Sequence, residues 1–225
     1  MKHSPRWMTR AGLFAAILAA SAFASNAHAQ QSSAIAYTVA LTSPERHLIE
    51  VQIVLPEGLD QRELQLPVWN ALYQIRDFAQ YVNWVRAKDR AGRTLAVREL
   101  DKSRWQISGA GHGAIVDYQM FVDLPGPFGA QLNFHHAFFN LAEILVYPVD
   151  ARNSPTALSF SHLSAEWRVA TPLTREPDGR YSAESYDRLV DSPVEIGDFH
   201  ESDFEDWNRR RWRRRSSKMV DGCGF

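Results

Sequence analysis

The chain has 225 residues, 25 Lys and Arg against 26 Asp and Glu, 45% hydrophobic residues and one cysteine. A hydrophobic share in the globular range, with 12% aromatics, excludes general disorder, and a single thiol excludes an internal disulfide framework. The formal charge of −1 averages over two unusual ends and does not describe the middle.

Residues 1–29 read as a secretory signal peptide. Lys2, Arg6 and Arg10 precede the apolar run Ala11–Ala20, and Ala27-His28-Ala29 sets small residues where a signal peptidase reads them. A membrane anchor needs about 20 unbroken apolar residues. Here Ser25, Asn26 and His28 interrupt, so cleavage is expected before Gln30 and the product is expected in a periplasmic or extracellular space. No later run is long and apolar enough to span a membrane, so no span is expected after cleavage.

Residues 30–197 are expected to form one mainly β domain. Ile35, Tyr37, Val39 and Leu41 alternate, and Ile49, Val51, Ile53 and Leu55 repeat the pattern after Ser43-Pro44. Such alternation marks half-buried strands. Shorter strands are expected at Glu63–Leu66, Ala71–Phe78, Tyr81–Lys88, Thr94–Arg98 and Arg104–Ile107, with a turn at Asp89-Arg90-Ala91-Gly92. A long strand is expected at Ala114–Val122. After Pro125-Gly126-Pro127, Phe138, Leu141, Ala142 and Leu145 fall at helical spacing, which predicts one short helix within Ala137–Val146, ending before Pro148. Further strands are expected at Ala157–His162 and Glu166–Ala170, and a helical turn at Ser185–Val190 closed by Ser192-Pro193. The fold class that follows is an antiparallel β-sandwich-like domain with one or two short helices.

Gly109-Ala110-Gly111-His112-Gly113-Ala114 formally matches the Gly-x-Gly-x-x-Ala dinucleotide fingerprint, which works only when it opens a helix facing the pyrophosphate. A period-two strand follows instead, which predicts a hairpin turn between Trp105–Ile107 and Ala114–Val122. Zinc hydrolysis needs two imidazoles on one face, as in His-Glu-x-x-His, and that motif is missing from the sequence. In His135-His136 the side chains diverge by roughly 100° on a helix or 180° on a strand, so packing or surface roles are expected there. His47, His112, His162 and His200 stand alone in sequence.

No Gly-x-Ser-x-Gly elbow is present, and Cys223 has no nearby His or helix start to lower its pKa. Asp187, Asp191 and Glu195 read as a solvated turn. Trp69, Tyr73, Trp84, Trp105 and Tyr118 lie on or beside expected strands and are expected mainly in the core, with an exposed stacking row as the rival reading. Catalytic, cofactor and metal residues are accordingly expected to be none, with no cofactor.

The end, residues 198–225, is expected to be irregular. It runs from acidic Asp198–Asp206 into Arg209-Arg210-Arg211-Trp212-Arg213-Arg214-Arg215, where like charges repel; no nucleic-acid partner is expected.

With these segments placed, the chain resembles the amino-terminal domain of the glycyl aminopeptidase family, metallopeptidase family sixty-one. The resemblance rests on Leu66-Pro67-Val68-Trp69, Tyr73-Gln74-Ile75-Arg76-Asp77-Phe78, Asp101-Lys102-Ser103-Arg104-Trp105 and Tyr118. It continues in Ala137-Phe138-Phe139-Asn140, Trp167-Arg168-Val169-Ala170-Thr171-Pro172-Leu173 and Tyr186-Asp187-Arg188-Leu189-Val190-Asp191-Ser192-Pro193. It covers roughly Ala34–Phe204. The resemblance implies a secreted or periplasmic zinc peptidase whose catalytic domain comes later, and hence a partner domain absent from this chain.

Two departures matter. Trp69-Asn70-Ala71-Leu72-Tyr73 lacks the family's Pro-Gly, and similarity stops near Phe204, so a shifted frame or truncated gene is expected. The expectation is a non-catalytic scaffold that frames a peptide cleft. The alternative is a stand-alone module holding carbohydrate or extended peptide on exposed aromatics.

Overall fold

The computed structural model describes residues 34–68, 76–126, 129–205 and 211–217, with side chains described as far as Phe199. The period-two runs fold as strands whose alternate residues go to the core. β1 (Ile35–Ser43) buries Ile35, Tyr37, Val39 and Leu41, and β2 (Leu48–Leu55) buries Ile49, Val51, Ile53 and Leu55. Pro44 opens the 3-10 turn between them, and His47 closes it in left-handed backbone at φ 56°. β3 (Gln61–Gln65), β4 (Val82–Asp89), β5 (Thr94–Asp101), β6 (Arg104–Ser108) and β7 (Ala114–Phe121) follow. β7 buries Ala114, Val116, Tyr118 and Met120. Of the expected strand Ala71–Phe78, residues 71–75 lie outside the described residues, and Phe78 begins a 3-10 turn, Phe78–Tyr81.

Next come β8 (Ala130–Leu132), β9 (His136–Phe139), β10 (Tyr147–Pro148), β11 (Thr156–Ser161), β12 (Arg168–Ala170), β13 (Thr174–Arg175), β14 (Tyr181–Ala183) and β15 (Val194–Gly197). The large sheet has the order β10-β3-β6-β5-β4-β7-β2-β1-β11-β14-β13, and the small one β12-β15-β9-β8. Residues of both sheets, such as Val39, Val51 and Val116 from one and Phe139 and Ile196 from the other, share one buried cluster. Each such side chain taken fully out of water contributes about 1.5–3 kcal/mol before entropy is counted. On the outer face of the large sheet, Gln52 donates to Asp117 (2.7 Å), Gln119 to Glu50 (3.2 Å), and Lys88 pairs with Asp117 (3.2 Å). The sandwich-like, mainly β class holds, with one exception to antiparallel pairing: β1 runs parallel to β11, Ile35 opposite Thr156.

Two local expectations are corrected. The helix expected over Ala137–Val146 is two elements: β9 takes His136–Phe139, and only Leu141–Ile144 turns helical. Asn140 separates them, because its side chain accepts the Ala142 N–H at 3.3 Å and caps the turn. The hairpin expected across Gly109–Ala114 is not formed. β6 pairs with β3 and β5, β7 with β2 and β4, so the glycines carry a crossover. The crossover is held by Ala110 N–H to Asp60 O and Gly58 N–H to Gly111 O, bonds to the β2–β3 connection.

Two segments of the tail are described, and their backbone is paired. β16 (Phe199–Glu205) and β17 (Arg211–Ser217) run antiparallel, and their register sets Glu201, Asp203 and Glu205 across from Arg215, Arg213 and Arg211.

Candidate functional site

Asn140–Val146 leads from β9 in the small sheet to β10 in the large one. Three buried phenols hold three successive carbonyls on it. Tyr118 donates to Ile144 O at 2.6 Å, Tyr186 to Leu145 O at 2.6 Å, and Tyr37 to Val146 O at 3.1 Å. The Tyr118 oxygen also accepts the Val146 N–H at 3.2 Å. The rings come from β7, from the helix Tyr186–Val190 and from β1, so elements far apart in sequence converge on one turn. Burial pushes all three phenols above their ordinary value, which keeps them protonated as donors.

Glu143 sits on this turn at 3% exposure, and neither of its carboxylate oxygens has a hydrogen-bond partner among the described residues. Burial pushes its carboxyl up to about 7, opposed in part by the Arg76 guanidinium. Gly129, whose carbonyl takes the Asn140 N–H at 3.2 Å, and Arg76 both border a depression of about 330 Å³. Phe78, Tyr81 and Leu124 line it too. Chemically, Glu143 can take up a proton or receive a cation.

The structure disperses the residues that the sequence singles out. His136 meets Glu195 at 2.9 Å, while His135 and His112 are exposed. His47 Nδ1 lies 2.6 Å from Leu132 O and 3.8 Å from Asp123. His162 stands exposed in left-handed backbone at φ 57°. Asp187 binds Arg152 at 2.7 Å and Asp191 reaches Arg188 at 3.6 Å, so Asp187, Asp191 and Glu195 have three separate partners. Among the described residues, no group of three His, Cys, Asp or Glu is placed to hold a metal ion.

Trp105 is buried and Tyr118 is in the core, whereas Trp84 is half-buried beneath Arg86, whose guanidinium stands 4.7 Å from the ring centre. No exposed aromatic row forms among these three. Residues 1–29, Trp69, Tyr73 and Cys223 lie outside the described residues, as do the side chains of His200 and the Arg-rich run.

Against this geometry, residues 36–198 match the Peptidase M61 N-terminal domain. The chain belongs to the M61 peptidase family, through that amino-terminal domain. Among solved structures, it is similar to the aminopeptidase N family protein of Idiomarina loihiensis, with 28% identity and a TM-score of 0.76. That match covers 82% of this chain and 32% of the other, so the M61 chain here spans about a third of that relative. The M1 zinc metallopeptidase of Deinococcus radiodurans bound to a Tyr-Ser-Ala substrate shows 11% identity, a TM-score of 0.44, and 86% and 49% coverage. Legionella pneumophila aminopeptidase A in complex with aspartic acid shows 10%, 0.45, and 81% and 23%. No curated protein matches the chain.

Sequence reading missed two polar features of this M61 domain. Glu143 stood inside an apolar run and gave no signal beyond being the one charge in Leu141–Val146. Arg62, 1% exposed, donates to Pro56 O at 2.7 Å and pairs with Asp150 at 3.1 Å, a contact across 88 positions that no local pattern encodes.

Proposed function

We propose that this chain is the non-catalytic amino-terminal scaffold of an exported M61 zinc aminopeptidase-like protein, packing on its catalytic domain and framing the peptide cleft. The observation that carries the reading is the match of residues 36–198 to the family's amino-terminal domain, together with a relative that extends well beyond it. Exposed apolar surface beside Arg76 suits such contact: Leu124 and Val68 are each 37% exposed. The basic start, apolar stretch and Ala27-His28-Ala29 support export.

The test has two arms. Purified chain supplied with zinc is assayed on glycyl-p-nitroanilide; no release is expected, and chelator-sensitive release overturns the non-catalytic reading. Expression behind its own first 29 residues, followed by amino-terminal sequencing of the exported product, is expected to give Gln30 first. Retention of Met1 in a cytoplasmic product overturns export.

A further inference from the structure

The hairpin of β8 and β9 turns through Asn133-Phe134-His135. Leu132 pairs with Ala137, and the Asn133 N–H donates to His136 O at 2.9 Å. The Asn133 side chain then accepts the His135 and His136 N–H groups at 2.8 and 3.0 Å, an arrangement that fixes the turn from inside. At the apex Phe134 is 69% exposed, more than any other large hydrophobic residue among the described residues. The base of the hairpin is held as well: His47 Nδ1 lies 2.6 Å from Leu132 O, and its ring meets Phe121 edge to face with centres 5.9 Å apart.

The way out of the domain passes this turn. β15 lies beside β9 with Gly197 opposite His136, and a Cβ on Gly197 would stand 3.2 Å from His135 O. The family match closes at residue 198, one position further on. In the Idiomarina loihiensis protein, the part similar to this chain is 32% of the whole. A domain joined at this exit is tethered within a few residues of Phe134, at an effective concentration of about millimolar. An aromatic side chain on a rigid turn is an efficient anchor, because little freedom remains to be lost when it enters a pocket.

We propose that Phe134 anchors the domain that follows residue 198 in longer M61 proteins, its ring entering an apolar pocket on that domain. The inference rests on the scaffold reading above and names where the contact is made. The tether favours this occupant over a second copy of the chain, which has no covalent reason to reach the tip.

Three measurements test it. In the full chain, Phe134→Ser should leave the melting transition within about 2 °C, as exposed sites do; a larger drop makes the ring a structural part of this domain and overturns the proposal. When this domain is superposed on the Idiomarina loihiensis crystal structure, the tip should have residues from outside the matched part within about 4.5 Å; a tip standing in water overturns it. In that whole protein, replacing the residue at the tip by serine should speed tryptic cleavage between the domains at least about tenfold; an unchanged rate overturns it. The two failures are separable: contact between the two parts only away from the tip sinks the anchor alone, and no contact at all sinks the scaffold reading with it. A dimer of the full chain that Phe134→Ser dissolves gives the tip to a second copy and overturns the assignment.

Discussion

Glu143 and Arg62 are both buried ionisable groups, but their surroundings make them opposites. The Glu143 carboxyl, raised to about 7 by burial, favours the protonated form in the folded state, whereas in the unfolded chain it ionises near 4.5. Stability from this group is therefore complete below about pH 4.5, is lost as pH rises to about 7, and stays lost above it. The loss amounts to about 3 kcal/mol. Glu143→Gln is expected to remove that slope and to raise the urea midpoint at pH 8, read by unfolding curves at pH 4.5 and pH 8. Arg62, by contrast, has its partner. Asp150→Ala strands a buried guanidinium and is expected to cost about 3 kcal/mol, at the low end for such pairs because Asp150 itself is 20% exposed. Denaturant unfolding checks it, and an unchanged midpoint would show that Pro56 O alone satisfies the guanidinium.

At the level of elements, period-two alternation was enough to locate β1, β2 and β7, because one face of each is buried and the register cannot slip. Pairing was not legible. The glycines after β6 were correctly read as turn residues, since Gly109 and Gly113 hold φ of 86° and 89°, but a turn does not say which strands it joins. The helix error has a similar origin. Phe138 and Leu141 share helical spacing by coincidence, and the cap at Asn140 was the signal that divides them. The glycines also give a graded test. A Cβ on Gly113 would meet Leu55 O at 2.8 Å and Arg90 Nε at 2.7 Å, whereas one on Gly92 meets nothing within 4 Å. Gly92→Ala is expected to cost about 1 kcal/mol from backbone conformation alone. Gly113→Ala should cost at least about twice that, since the carbonyl cannot move without disturbing β2. Thermal melts of the two variants side by side make the comparison.

Over the whole molecule, fold class and family were legible because they follow from many weak positions in order, while the candidate site was not. The tyrosine brace joins positions separated by 109, 26 and 41 residues, and no local window contains it. The same long reach governs assembly. β1 lies between β2 and β11, so the first described strand gains its second neighbour only from a segment some 120 residues later. A chain stopped after Pro155 is expected to leave β1 as an open edge and to lose cooperative unfolding, whereas one stopped after Gly197 retains it; circular dichroism melts distinguish the two.

The phenols that grip Ile144, Leu145 and Val146 turn alkali into a probe of integrity. A phenolate cannot form at those positions while the grip lasts, yet the denatured polymer ionises near pH 10, so base draws the population toward the open form above that point. The ultraviolet signature of these three rings should therefore emerge late and all at once, in step with the collapse of ellipticity.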